Sequence, residues 1–210
     1  MIARHKARFN RALEPLGRVL HRFGCAPTAL TLAGVVLALA SCLYLLLTKR
    51  LLIFCLFVAI ATLFDALDGA VARAGGRATA WGAYLDAMAD RYVEGVIVLS
   101  VAVVTGYWLL SGVVLLGALL VSYAKARAAM EVPISNQEWP DLMERAERGV
   151  VYLAGLAAGQ LVTWKPLGRD LFWWTLAALA GLIHLTVWQR MARARRVIRL
   201  RANDTIPPAG

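Results

Sequence analysis

Residues 51–72 read LLIFCLFVAIATLFDALDGAVA, an apolar stretch that carries two aspartates toward its end. A hydrocarbon core about 30 Å thick is crossed by about 20 helical residues, so this stretch is long enough to span a membrane. Asp65 and Asp68 lie at i and i+3, on one face of such a helix. An ionised carboxylate at membrane depth costs roughly 2.5 to 3.5 kcal/mol on insertion scales. The stretch therefore predicts a membrane-spanning helix whose aspartates need a compensating partner.

A second pair of aspartates follows in the next apolar stretch. Asp86 and Asp90 lie at i and i+4, so they also share one helical face. Four like charges cannot compensate one another, whereas hard divalent cations with oxygen ligands can neutralise all of them. Two such ions about 3.5 to 4 Å apart form a clamp suited to phosphoryl chemistry. The aspartates predict a site for two Mg²⁺ or Mn²⁺ ions, and not for zinc, which prefers nitrogen and sulfur ligands.

The carboxylates could instead be structural or serve transport. Each aspartate could form an ordinary ion pair with Arg73, Arg77 or Arg91 at the helix ends. Intramembrane carboxylates also mark the ion pathways of transporters. Transporters commonly have repeated halves with broken helices at matching positions, whereas these aspartates cluster on two consecutive helices. The pattern therefore favours an enzyme over an ion-coupled membrane transporter.

The remainder of the chain is equally apolar. Hydrophobic residues make up 60% of the 210 positions, compared with roughly 45 to 50% in soluble domains. We predict an all-α integral membrane protein with six transmembrane helices, which end where charges or Gly and Pro interrupt the apolar pattern. The predicted helices cover residues 27–47, 51–72, 82–105, 107–129, 147–164 and 170–190.

An amphipathic helix is predicted ahead of the first span. Leu13, Leu16, Leu20 and Phe23 recur at steps of three and four, while arginines occupy the other faces. A helix of this kind lies in the membrane interface. The alternative is a helix packed on a neighbouring helix. The predicted domains are thus an interfacial helix over 1–24, a six-helix catalytic domain over 25–192 and a basic cytoplasmic tail over 193–210.

The net charge of +10 raises the question of whether the basic residues meet nucleic acid or a membrane. No basic patch interleaved with aromatic residues suggests a nucleic-acid partner. Six spans place both termini on one side, and that side collects all Lys and Arg except Lys49, Arg50, Lys165 and Arg169. The positive-inside rule therefore predicts a multi-pass protein of the cell membrane with its active site and both termini in the cytoplasm. The basic tail is also suited to anionic lipid.

Taken together, Asp65-x2-Asp68-Gly69-x2-Ala72-Arg73-x8-Gly82-x3-Asp86-x3-Asp90 resembles the defining motif of the CDP-alcohol phosphotransferase family at every fixed position. The resemblance implies that an acceptor hydroxyl attacks the lipid-side phosphorus of a CDP-linked lipid and releases CMP. It also implies a homodimer. The implied roles are metal binding for the aspartates Asp65, Asp68, Asp86 and Asp90, proton acceptance for Asp90, admission of the nucleotide for Gly69 and a phosphate contact for Arg73.

Further elements that resemble this family are expected to bind the CDP-lipid donor together with Asp65, Gly69 and Arg73. The segment Pro27-Thr28-Ala29-Leu30-Thr31 is similar to the Pro-Asn-x-x-Thr element that touches the cytidine end. Thr28 replaces the usual Asn, so the paired donor and acceptor of an amide are lost. Thr79 occupies a position near the nucleotide that is often a small hydroxyl residue. Helix capping or loop solvation is the alternative role of each threonine.

The acceptor is suggested by two further resemblances. Residues 122–128, SYAKARA, and 144–148, ERAER, look like elements of the branch that makes phosphatidylinositol phosphate and its archaeal counterpart from inositol 1-phosphate. By this resemblance Lys125, Arg127 and Arg148 would hold the acceptor phosphate through charge-assisted hydrogen bonds. Ala129 departs from the Glu common there, and the positive-inside rule alone also places cations at these helix ends. A phosphatidylglycerophosphate synthase that uses glycerol 3-phosphate is therefore the alternative.

Overall fold

The structure, a computed structural model, describes residues 13–75, 79–131 and 145–204, with the backbone alone for 201–204. Within these ranges the chain is helical, and no strand occurs. The all-α prediction is therefore confirmed. Residues 132–144, Arg77 and the two ends of the chain lie outside the described residues. The helices are α1 (13–22), α2 (Pro27–Thr48), α3 (Leu51–Gly75), α4 (Ala80–Thr105), α5 (Trp108–Glu131), α6 (Arg145–Leu161) and α7 (Leu171–Asp204).

Four of these helices are long and apolar enough to cross a membrane: α2, α3, α5 and α7. The protein is therefore a multi-pass membrane protein. Helix α4 is long enough, but Asp86, Asp90, Arg91 and Glu94 interrupt its first half. Helix α6 has 17 residues and is about 26 Å long, slightly short of the hydrocarbon thickness. Length and composition thus support four spans directly.

The chain forms two compact units, Met1–Gly106 and Tyr107–Gly210. In the first unit, α2 and α3 form an antiparallel hairpin. Lys49 ends α2 in the left-handed conformation with φ 57°, and its N–H donates to the Leu45 carbonyl. Gly34 is buried against α3, because a Cβ at this position would lie 3.3 Å from the Ala61 carbonyl oxygen. This close approach fixes which residues of the two helices face each other.

Helix α1 packs across α3 near the aspartates. A Cβ at Gly17 would lie 2.8 Å from the backbone carbonyl carbon of Ala70, so the two backbones nearly touch there. Leu13 and Leu67 are buried in the same contact, with Leu20, Leu30 and Ala66 packed around them. The chain turns out of the helix at Gly24, which has φ 77° and donates its N–H to the His21 carbonyl, 3.0 Å away. The described part of α1 is thus a packed helix, and its place at the membrane interface stays a prediction.

We expect Gly17→Leu to destabilise the first unit. The new side chain meets backbone atoms that cannot move aside, and overpacking of this kind typically costs about 1 to 3 kcal/mol. The melting temperature of the purified protein in detergent should fall by several degrees. Val19→Leu is the matched control, because Val19 lies on the exposed face of α1. An equal melting temperature for Gly17→Leu and wild type would contradict the packing of α1 on Ala70.

The second unit is built on α7, which packs against α5 and α6. Gly155 of α6 faces Thr175 so closely that any side chain there would clash. His184 contacts the Val113 carbonyl oxygen through Nε2 at 3.2 Å, a contact between two packed helices. Asp170 caps α7 by accepting the Trp173 N–H at 2.8 Å. Its second oxygen accepts a hydrogen bond from the Tyr107 hydroxyl. Burial, and to a smaller extent this hydrogen bond, raises the pKa of Tyr107.

Helix α7 ends later than predicted. The predicted span stops at residue 190, whereas the helix continues without a break to Asp204. The additional residues are mainly Arg and Ala, which are strong helix formers, and the first proline after them is Pro207. The boundary at 190 rests on the loss of apolar residues, which ends a membrane span but does not end a helix.

Candidate active site

Three of the four motif aspartates come together between α3 and α4. Asp65, Asp68 and Asp86 each offer one carboxylate oxygen, and these three oxygens lie within 4.8 Å of one another. Asp68 is buried, with 8% of its surface exposed. Three carboxylates this close repel one another strongly in a low-dielectric environment, and oxygen ligands of this kind suit Mg²⁺ or Mn²⁺. The residues present therefore fit a divalent metal centre.

Asp90 lies one turn further along α4 and outside this group of three. One of its carboxylate oxygens is 3.8 Å from the Arg91 guanidinium. Arg91 also forms an ion pair with Glu94, at 3.0 Å. The prediction that Asp90 both binds metal and accepts a proton stays a prediction. Its position one turn from Asp86 keeps it on the face of α4 that carries the metal centre.

Thr31 of α2 reaches this centre directly. Its hydroxyl donates to Oδ2 of Asp68 at 2.5 Å. The antiparallel packing of α2 on α3 explains the contact, because Gly34, one turn after Thr31, is the point where the two helices approach closely. Thr28 and Ala29 are exposed, and Leu30 packs in the α1 contact. The segment predicted to bind the donor is therefore divided between exposed residues and one residue bound to a candidate metal ligand.

Gly69 and Arg73 lie next to each other on α3. The Arg73 guanidinium folds back over the glycine, so that a Cβ at Gly69 would lie 3.2 Å from Nη1. The arginine side chain is exposed. Arg73 is thus an exposed cation one turn after Gly69, and an anionic ligand suits such a cation. The nucleotide and phosphate roles of these two residues stay predictions.

Thr79 is the N-cap of α4. Its hydroxyl oxygen accepts the backbone N–H of Gly82 at 3.0 Å. Gly82 leaves room for this cap, since a Cβ there would lie 3.1 Å from the Thr79 hydroxyl oxygen. The capping alternative for this threonine is therefore observed, and a contact with the nucleotide stays a prediction.

The predicted acceptor residues belong to the second unit. Arg148 is buried, with 4% of its surface exposed. Lys125 is half-buried, whereas Arg127 is exposed and forms an ion pair with Glu131 at 2.5 Å. This pair leaves Arg127 less available to an acceptor phosphate than the sequence suggested.

Arg190 is a residue that the sequence did not single out. It is 5% exposed, and its guanidinium donates to the Val121 carbonyl, one turn from Lys125 on α5. A buried arginine is costly unless it is paired or functional. In the sequence, Arg190 lies at the end of an apolar stretch, and this position is the only sign of its burial. The sequence pattern there indicated only the start of a basic tail.

The fold and the three clustered aspartates define a multi-pass membrane protein with a candidate divalent metal centre at the ends of two consecutive helices. Residues 25–188 match the family model for CDP-alcohol phosphatidyltransferases. The chain belongs to this family, as the motif of aspartates indicated. It is therefore a phosphotransferase, and the transporter alternative is not supported.

Similar proteins come from mycobacteria. The chain is 32% identical to the phosphatidylinositol phosphate synthase of Mycobacterium marinum, over 87% of this chain and 82% of that protein. It resembles the solved structure of the Mycobacterium tuberculosis phosphatidylinositol phosphate synthase with CDP-DAG bound, with a TM-score of 0.72, 28% identity and coverage of 88% and 94% of the two chains. A structure of the same mycobacterial enzyme in complex with manganese and citrate gives a TM-score of 0.74, 27% identity and coverage of 87% and 88%.

Proposed function

We propose that this protein transfers a phosphatidyl or archaetidyl group from a CDP-linked lipid to inositol 1-phosphate and releases CMP. The observation that carries the proposal is the group of carboxylates from Asp65, Asp68 and Asp86, which lies at the motif of its family. The relatives' activity supports the choice of acceptor. Glycerol 3-phosphate, the alternative acceptor, has no comparable support from these mycobacterial relatives.

The chemistry follows from the residues at the centre. Asp65, Asp68 and Asp86 would hold two divalent ions, Mg²⁺ or Mn²⁺, which supply charge neutralisation for the diphosphate. Asp90 would accept the proton of the acceptor hydroxyl as the new oxygen–phosphorus bond forms and the bond to CMP breaks. Gly69 would admit the nucleotide, and Arg73, whose guanidinium lies over this glycine, would bind a phosphate oxygen. Thr28, Ala29, Leu30, Thr31 and Thr79 would complete the donor site.

The direct test is CMP release by the purified protein with Mg²⁺ and CDP-diacylglycerol or CDP-archaeol. Inositol 1-phosphate, glycerol 3-phosphate, serine and free inositol are supplied in turn. We expect release with inositol 1-phosphate alone. Release with glycerol 3-phosphate alone would keep the metal centre and overturn the acceptor, and no release with any of the four would overturn the proposed reaction.

The acceptor phosphate is proposed to meet Lys125, Arg127 and Arg148, with Arg190 as a further candidate. The support is chemical, because a dianionic phosphate suits several converging cations with charge-assisted hydrogen bonds. Arg148 and Arg190 are buried, and Lys125 is half-buried. Buried guanidinium groups are well suited to bidentate recognition of phosphate, because they are weakly hydrated and rigid.

Replacing both Lys125 and Arg127 by alanine should raise the KM for inositol 1-phosphate by about tenfold or more, since a charged hydrogen bond contributes about 1.5 to 3 kcal/mol. The KM for the donor should change little. The matched control removes the same charge at Lys165 and Arg169, which are not proposed to bind either substrate. Equal increases in both KM values would indicate a structural role for Lys125 and Arg127.

The topology is proposed from the distribution of Lys and Arg along the sequence. Helices α4 and α6 would complete six spans, with α1 in the interface and the site and both termini in the cytoplasm. Domain boundaries at 1–24, 25–192 and 193–210 follow, and a homodimer is proposed from the family. A cysteine is placed at 50 or at 202 in a variant whose native Cys25, Cys42 and Cys55 are replaced by alanine. Labelling of the two variants tests the orientation, because the two positions should react from opposite sides of sealed vesicles.

A further inference from the structure

The carboxylate of Asp68 is bound by a hydroxyl of another helix. The Thr31 hydroxyl lies 2.5 Å from Asp68 Oδ2 and 3.2 Å from the Pro27 carbonyl oxygen. A hydroxyl donates only one proton, so only one of these contacts can be a full hydrogen bond. The contact with Asp68 is much shorter and has an ionised acceptor, which makes it the stronger of the two. Thr31 therefore donates to the carboxylate.

The surrounding packing holds this pair in place. Leu30 and Leu67, the residues directly before Thr31 and Asp68, belong to the same apolar contact with Leu13 of α1. On the other side, Gly34 allows α2 to approach the α3 backbone, with a Cβ-to-carbonyl distance of 3.3 Å to Ala61. The helical turns that carry Thr31 and Asp68 are thus both held by contacts of neighbouring residues.

We infer that Thr31 is a positioning residue for the metal centre, which acts through Asp68 in addition to its proposed place in the donor site. The inference rests on the proposed function insofar as Asp68 is a metal ligand. Carboxylates that bind metals are themselves held by hydrogen bonds, which fix the orientation of the ligating oxygen. Removing such a partner typically lowers metal affinity about 10- to 100-fold. If Thr31 contacted only the donor, its removal would leave metal affinity unchanged.

The test compares Thr31→Val, which keeps the side-chain shape and removes the hydroxyl, with Thr31→Ser, which keeps the hydroxyl. Binding of Mn²⁺ to the purified full-length protein is measured by the loss of the free-ion electron paramagnetic resonance signal, without any substrate. We expect Thr31→Val to weaken Mn²⁺ binding about tenfold or more, and Thr31→Ser to stay within about threefold of wild type.

The matched control is Thr62→Val on α3. This exposed threonine donates its hydroxyl to the Ala59 carbonyl of its own helix, at 2.8 Å. Thr62→Val should therefore leave Mn²⁺ binding unchanged. Unchanged Mn²⁺ affinity in Thr31→Val overturns the inference. If Thr31→Val does not purify as a folded protein, Thr31→Ala gives the same comparison. Because Mn²⁺ binding needs no acceptor, the result is independent of whether the proposed reaction is correct.

Discussion

Asp68→Asn is expected to reduce CMP release by about a thousandfold or more, since metal ions contribute several kcal/mol to phosphoryl transfer and each 1.4 kcal/mol is tenfold in rate. The amide oxygen can still accept the Thr31 hydrogen bond, so the packing of α2 on α3 should survive. The substitution removes one of the three carboxylates that lie within 4.8 Å of one another. The measurement is the rate of CMP release at saturating donor and acceptor.

Asp170→Asn is the matched control for Asp68→Asn. Asp170 caps α7 with one oxygen and accepts the Tyr107 hydroxyl with the other, so it is a structural carboxylate. The same change of Asp to Asn should leave the rate within a few fold of wild type, whereas Mn²⁺ binding should be lost only in Asp68→Asn. Turnover by Asp68→Asn at the wild-type rate would exclude Asp68 from the metal centre.

Asp90→Asn is expected to lower kcat by about 10² to 10⁴, the usual contribution of a positioned general base. Because Asp90 lies outside the group of three carboxylates, the affinity for Mn²⁺ should fall less than in Asp68→Asn. The effects on kcat and on Mn²⁺ affinity can be separated, since the loss of a metal ligand lowers the affinity and the loss of a general base lowers the rate. Metal titration and single-turnover rates on the same preparation provide both values.

Two results would contradict the role of Asp90. If Asp90→Asn keeps full turnover, Asp90 does not accept the acceptor proton. If it loses Mn²⁺ binding as completely as Asp68→Asn, the loss of turnover is explained by metal binding, the other role that the family resemblance implies for Asp90. The melting temperature serves as the control, because the ion contact between Asp90 and Arg91 is long, at 3.8 Å, and its loss should affect stability little.

The helices were predictable because apolar length and interrupting charges determine them locally. The predicted starts of α2 and α3 at residues 27 and 51 agree with the structure, as does the end of α4 at residue 105. The end of α7 was missed, because a change from apolar to basic residues ends a membrane span while Arg and Ala continue the helix. The packing of α1 was also left open, since an amphipathic pattern does not say whether lipid or protein covers the apolar face.

The candidate site was predicted in part for the same reason. Spacings of three and four placed each pair of aspartates on one face of its helix, and the structure brings three of the four together. The sequence left Thr79 open between a helix cap and the nucleotide. It could not assign Thr31 to Asp68, because that contact depends on how α2 packs on α3. Arg190 escaped notice because its burial is a property of how α7 packs on α5.

The sequence by itself determined the class of fold, the helices and the family, since apolar periodicity and fixed spacings along one helix are local properties. The tertiary structure decided which helix faces meet: α1 on Ala70 through Gly17, Thr31 on Asp68, and Asp65 and Asp68 beside Asp86. The physical reason is that contacts between helices depend on their relative rotation and on small residues that permit close approach. No spacing within a single helix encodes that rotation.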